Sequence, residues 1–270
     1  MSFLEAIILG LVQGLTEFLP VSSSGHLVLT QEFLGVKDKG VTFEILVHFG
    51  TLLSVVIYFW KPLWRMCLSI LPPFKEEYAK DRRMIGFLAL ASVPAAFVGF
   101  SPLKDLFEGA YDRPAMVGIF LIITGLILFL PRVIRKMTKE REGTEIGWKA
   151  ALAMGVGQAF AILPGISRSG STIVSGMLAG AKSGAAAEFS FLMAIPAIAA
   201  ATLLEARKLE SLDASLLGPY FAGAAIAFLS GLIAIFTVLA AIRRGKFEYF
   251  GIYCLIAGTV AFFYFRSVGA

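Results

Sequence analysis

The chain has 270 residues, of which 57% are hydrophobic and only 16% charged, with a mean hydropathy of +0.80. Those values exclude an ordinary soluble globular domain and place the chain in the membrane class. A net charge of +5 and a pI of about 9.2 would suggest nucleic acid as a partner for a soluble protein, but here Lys and Arg cluster between apolar runs, as cytoplasmic loops do.

Residues 3–34 predict a helical hairpin broken by a polar loop. Its N-terminus is apolar but lacks a basic region, and the first helix carries Glu5, Gln13 and Glu17, so it does not read as a cleaved signal peptide. Full spans are expected near 43–60, 84–101 and 115–131. A second broken hairpin covers 147–182, and three more spans lie near 186–204, 217–242 and 248–265. Each span is long enough, or nearly so, to cross a hydrocarbon core of about 30 Å as a helix. Helix is the expected state, because lipid offers no partner to an unpaired backbone. Cys67 and Cys254 show no metal-ligand spacing.

The two hairpins echo each other. Gln13 pairs with Gln158, 145 residues on, Gly10 with Gly155, and Ser24-Gly25 with Ser169-Gly170. With a one-residue gap, Phe18-Leu19-Pro20 matches Ile162-Leu163-Pro164. The expected fold is therefore an all-α integral membrane protein, a single domain over 1–270 with an inverted-topology repeat. Repeat 1 covers about 1–135 and repeat 2 about 145–270, each a re-entrant helical hairpin plus three transmembrane helices. Three is odd, so the halves enter the membrane from opposite faces. Placing 61–83, 132–149 and 243–247 in the cytoplasm, with Lys182, puts 16 basic residues inside. Seven (Lys37, Lys39, Lys104, Arg113, Arg207, Lys208 and Arg266) fall outside, and Arg168 is left at the midplane. Two re-entrant tips meeting at the midplane are the usual setting of a site in inverted-repeat membrane proteins.

Gly10, Gln13, Gly14 and Glu17 share one helical stripe, at i, i+3, i+4 and i+7. A carboxylate beside an amide oxygen is a candidate hard-cation site, which makes Glu17 and Gln13 the metal candidates. Repeat 2 has Ile162 opposite Glu17, so metal or acid/base work falls to the first half. Ser22, Ser23 and Ser24 precede Gly25 and His26 at a helix start. Ser24 suits a helix cap, a Ser–His pair can form a nucleophile and its base, and the free N–H groups can take an anion. In the second loop Gly165, Ser167, Arg168, Ser169, Gly170 and Thr172 combine tight turns, hydroxyls and a guanidinium fork, the make-up of a phosphate cradle. Glu44 and Glu188 are expected as buried acids near the pseudo-axis, and His48 as a structural histidine; all three rank below the loops.

The chain resembles the undecaprenyl-diphosphate phosphatase family, known also for bacitracin resistance. That family carries (E/Q)xxxE, here Gln13 to Glu17, running into PVSSSGH, here Pro20 to His26, and PGxSRSxxT, here Pro164 to Thr172. The resemblance implies hydrolysis of undecaprenyl diphosphate to the monophosphate and phosphate in the bacterial inner membrane, recycling the carrier lipid for cell-wall synthesis. It also implies a divalent cation, Mg2+ or Ca2+, and a site reached from the periplasmic or outer face. Carried over by position, Ser23, His26, Glu17 and Arg168 form the core, with Ser23 favoured as nucleophile and His26 as acid/base. Expected partners are the lipid diphosphate, the bilayer and a second copy of the chain in a homodimer, and no nucleic acid. The competing reading is a transporter or flippase for an anionic lipid, which architecture alone would favour. An acid/base group beside a hydroxyl separates the two, because transport needs only an anion site.

Overall fold

Long apolar runs satisfy their backbone in lipid by closing every hydrogen bond inside the segment. The computed structural model, which describes residues 1–36, 41–102, 109, 113–137, 144–206 and 214–268, is accordingly helical throughout its spans. At 41, 134–137, 205, 206 and 214 the backbone alone is described. Of the basic residues counted above, Lys37, Lys39, Lys104, Lys139, Arg141, Arg207 and Lys208 lie outside the described residues.

The first hairpin is α1 (Phe3–Phe18) and α2 (Ser23–Leu34). Helix α1 starts in a capping box, Ser2 with Glu5, and stops before Pro20, which forces Leu19 into an extended conformation. Helix α2 ends at Gly35, whose φ of 64° closes the helix in the left-handed region. Then follow α3 (Val41–Tyr58), α4 (Trp60–Ser69), α5 (Ala79–Gly99) and α6 (Pro114–Met137). The second hairpin is α7 (Trp148–Phe160) and α8 (Arg168–Leu178), followed by α9 (Ser183–Ala206), α10 (Leu217–Arg243) and α11 (Glu248–Ser267).

Among the described residues, Glu76–Gly99, Pro114–Val133, Ser183–Leu204, Leu217–Arg243 and Glu248–Ser267 are long and apolar enough to cross a membrane. The chain is thus an all-helical, multi-pass membrane protein. The expected span at 43–60 behaves differently, bending by 77° into α4. Pro62 explains the break: it has no N–H for the Tyr58 carbonyl, and its ring collides with that carbonyl. The helix restarts at Trp60 with proline in its first turn, a favourable place.

Each hairpin leans on a span of the other half. Helix α1 packs along α10, and α7 packs along α5. The closest approaches are glycine stripes: a Cβ at Gly10 would run into the Gly223 backbone, one at Gly14 into Ala227, and one at Gly155 into Ala91. The third spans, α6 and α11, pack on each other, as do α3 and α9. Polar contacts gather the ends of several helices together. Arg132 pairs with Glu248 at 2.6 Å, Arg243 with Glu188 at 2.8 Å, and the Thr144 N–H donates to the Gly180 carbonyl at 2.9 Å. Glu188 is thereby a half-exposed partner of Arg243, not the buried acid expected from its place in the repeat. Glu44 is likewise half-buried, accepting from Gln31 at 3.2 Å.

Candidate active site

Two turns of irregular backbone meet at the tips of the hairpins. Ser22 ends the first loop at φ 70° and ψ 97°, a conformation that costs a non-glycine residue of order 1–3 kcal/mol. What holds it is visible in its contacts. Its Oγ accepts from the Gly25 N–H at the start of α2 (3.4 Å) and from the Gly165 N–H of the other loop (3.1 Å). Its carbonyl accepts from His26 Nδ1 at 2.8 Å. Ser22, not Ser24, is therefore the N-cap of α2. Gly165 itself has φ 97° and packs so tightly on Phe120 and Val117 that no side chain fits.

Thr124, fully buried on α6, fixes the second loop from behind. Its hydroxyl donates to the Gly165 carbonyl at 2.8 Å and accepts from the Ser167 N–H at 3.0 Å. Ser167 caps α8 by accepting from the Gly170 N–H at 3.0 Å. Arg168 then emerges at the first position of α8 and crosses to the other half. Its Nη2 meets Glu17 Oε1 at 2.7 Å, with side-chain exposures of 16% and 6%. Glu17 Oε2 accepts from Ser23 Oγ at 2.5 Å and from Gln13 Nε2 at 2.9 Å. One buried carboxylate thus holds an arginine, a serine and an amide drawn from both sequence motifs.

Glu17, Ser22, Ser23, Ser24, Ser167 and Arg168 line a cleft of about 40 Å³, space for about three waters. Other candidates have structural duties. Ser169 Oγ donates to the Leu19 carbonyl at 3.0 Å and so ties the two loops together. Thr172 is bonded to Ser190 at 2.6 Å, and with Gly25, Gly165 and Gly170 it lies outside the cleft lining. The expected Ser23–His26 contact is absent. Ser23 turns to Glu17, while His26 Nδ1 bonds back to Ser22 and its Nε2 meets the Tyr253 hydroxyl at 2.8 Å. Ser23 and His26 stand one turn apart on α2, and the carbonyl one turn back swings the imidazole away from the serine.

Sequence reasoning missed Thr124, Ser190 and Tyr253. A lone threonine or tyrosine in an apolar span carries only a weak signal, since such hydroxyls commonly bond across helices. Among the described residues no three His, Cys, Asp or Glu side chains cluster as metal ligands. A cation would therefore rest on oxygens of Glu17 and Gln13, on water and on phosphate, the usual habit of Mg2+. The Gln13 side chain fits that duty: it is fully buried, and its Oε1 has no hydrogen-bond partner.

The family model of bacitracin resistance protein BacA matches residues 6–260. The chain is 43% identical over 263 residues to an undecaprenyl-diphosphatase of Syntrophotalea carbinolica, covering 97% of this chain and 98% of that one. It is 40% identical to the undecaprenyl-diphosphatase of Rhodopirellula baltica, covering 95% and 96% of the two chains. It is 39% identical to that of Moorella thermoacetica, covering 98% and 100%. With a family match spanning both hairpins and relatives of the same length throughout, the chain belongs to the bacitracin resistance protein BacA family.

Proposed function

We propose that this protein hydrolyses undecaprenyl diphosphate to undecaprenyl phosphate and inorganic phosphate, recycling the carrier lipid for cell-wall synthesis and so conferring bacitracin resistance. The family and the names of the full-length relatives support the activity. The observation that carries the chemistry is the Glu17 carboxylate, bound at once by Arg168 and Ser23. A transporter of an anionic lipid would use the arginine but has no need of an acid set against a hydroxyl.

In this reading each residue has a task. Ser23 Oγ attacks the terminal phosphorus as its proton passes to Glu17 Oε2. The bond from that phosphorus to the bridging oxygen breaks, and undecaprenyl phosphate leaves. His26 Nε2 takes a proton from the water that attacks the phosphoserine, and Glu17 returns its proton to Ser23 as phosphate departs. Arg168 and the N–H groups at the starts of α2 and α8 bind the equatorial oxygens, where most stabilisation of phosphoryl transfer arises. A divalent cation held by Glu17 and Gln13 would supply further neutralisation of the diphosphate charge.

Purified protein should release phosphate from a polyprenyl diphosphate and stop when a chelator is added. No release from well-folded protein would refute the activity, and release indifferent to chelator would remove the cation. Ser23→Ala is expected to lower kcat about 100-fold or more, while a His26→Ala protein accumulates phosphoserine at Ser23. Full activity in Ser23→Ala would shift the nucleophile to His26 or to water.

The same proposal includes the inverted repeat, with re-entrant hairpins entering from opposite faces of a bacterial inner membrane. The exchange of α1 onto α10 and α7 onto α5, with the self-paired contacts of α6 with α11 and α3 with α9, supports it. So do the contacts that bring the Arg132, Lys182 and Arg243 regions to a common end. That end is cytoplasmic and the cleft opens outward. The reading takes the lipid diphosphate and the bilayer as partners, adopts a homodimer as the assembly, and needs no nucleic acid. In a background lacking Cys67 and Cys254, a cysteine at Val268 should react with an impermeant reagent on intact cells, and one at Lys75 only after lysis. The opposite pattern would turn the site to the cytoplasm.

A further inference from the structure

Tyr253, on the last span, has no counterpart among the motif residues, yet its hydroxyl lies 2.8 Å from His26 Nε2. The two rings are nearly parallel, at 13°, with centroids 5.6 Å apart. At its other nitrogen His26 meets the Ser22 carbonyl at 2.8 Å. A carbonyl can only accept, so Nδ1 must carry a proton. In neutral imidazole Nε2 is then the bare nitrogen, and the phenol O–H, able to donate, is its donor. Both ring nitrogens are thus spoken for, one by the first loop and one by a helix 227 residues away in sequence.

We infer that Tyr253 is a positioning residue for hydrolysis, holding the His26 ring, whose tautomer Ser22 sets, in the orientation that presents Nε2 as the proton acceptor. The inference rests on the role given to His26 above. Ser22 supplies one half of the arrangement, and its left-handed backbone aims the carbonyl at Nδ1. Tyr253 supplies the other half from a half-exposed position on α11, so its phenol can swing off Nε2 without unpacking a helix. The contact is also specific to the first half-site, because repeat 2 places Ser171, not a histidine, at the position matching His26. A hydroxyl that merely fills space would not be needed at this edge of the bundle, where its neighbours Ile252 and Ile256 are exposed and apolar.

The test removes the hydroxyl and keeps the ring. Tyr253→Phe should lower kcat about tenfold with KM changed less than twofold, and leave thermal stability unchanged. In a His26→Ala background the same substitution should have no further effect on the residual rate, because the hydroxyl acts only through the imidazole. The chain has two histidines, so His48→Ala leaves one ring to observe by nitrogen-15 NMR in detergent. That ring should show protonated Nδ1 and bare Nε2 in both proteins, because the Ser22 carbonyl sets the tautomer, with the Nε2 resonance shifted in Tyr253→Phe, where its donor is lost. Unchanged kcat together with an unshifted Nε2 resonance would overturn the inference, and so would equal losses in both backgrounds. If the protein releases no phosphate from any polyprenyl diphosphate, the activity fails, while the Nε2 resonance still decides whether the Tyr253 hydroxyl holds His26.

Discussion

Arg168→Lys should lower kcat/KM by about 100- to 1000-fold although the charge is kept. The guanidinium spans two duties at once. Its Nη2 holds Glu17 at 2.7 Å and its Nη1 donates to the Ser190 carbonyl at 3.4 Å, at the cleft that Ser23 and Ser167 also line. An ammonium is a compact point charge without the rigid planar fork, so it cannot span the same two partners in this geometry. The pair with Glu17 survives in some form, so folding should hold and the loss should fall on the reaction. Phosphate-release rates and melting temperature measured on the same preparation separate the two. Near-normal turnover by the lysine protein would remove Arg168 from phosphate binding.

Glu17→Gln should be the most damaging single change, and in two distinct ways. It removes the proton acceptor for Ser23 and a candidate cation ligand, so phosphate release should fall by about 1000-fold or more. It also leaves Arg168 buried and unpaired, at a cost of about 3–5 kcal/mol. A second variant separates chemistry from stability. Glu17→Gln combined with Arg168→Gln removes both buried charges, and should recover most of the lost melting temperature while remaining inactive. Recovery of turnover along with stability would show that Glu17 serves the fold and not the reaction.

The spans were legible because an unbroken apolar run has no alternative to helix in lipid. The observed α9 (Ser183–Ala206), α10 (Leu217–Arg243) and α11 (Glu248–Ser267) run only a few residues past their expected ends. The bend into α4 was not read, although Pro62 was in plain view, because hydropathy continues smoothly through Phe59 and Trp60. The residue types of the site were legible from what is costly at membrane depth: one carboxylate, one arginine, one histidine. Their pairing was not. Proximity along α2 favoured Ser23 with His26, and the actual partners, Glu17 and Tyr253, depend on how α1 and α11 are placed by distant packing. Thr124 was invisible for the same reason, since its two bonds to the second loop cross more than forty residues of sequence.

The exchange of hairpins between halves bears on the order of synthesis. Helix α1 leaves the ribosome first, yet the surface that receives Gly10 and Gly14 belongs to α10, near the end of the chain. The first hairpin is therefore made well before either of its partners, Arg168 for Glu17 and then α10 for its glycine stripe. Until then Glu17 has only Gln13 and Ser23 of its own hairpin as partners, so early release of that carboxylate into lipid is costly. The two halves made as separate polypeptides should each be degraded alone and survive when produced together.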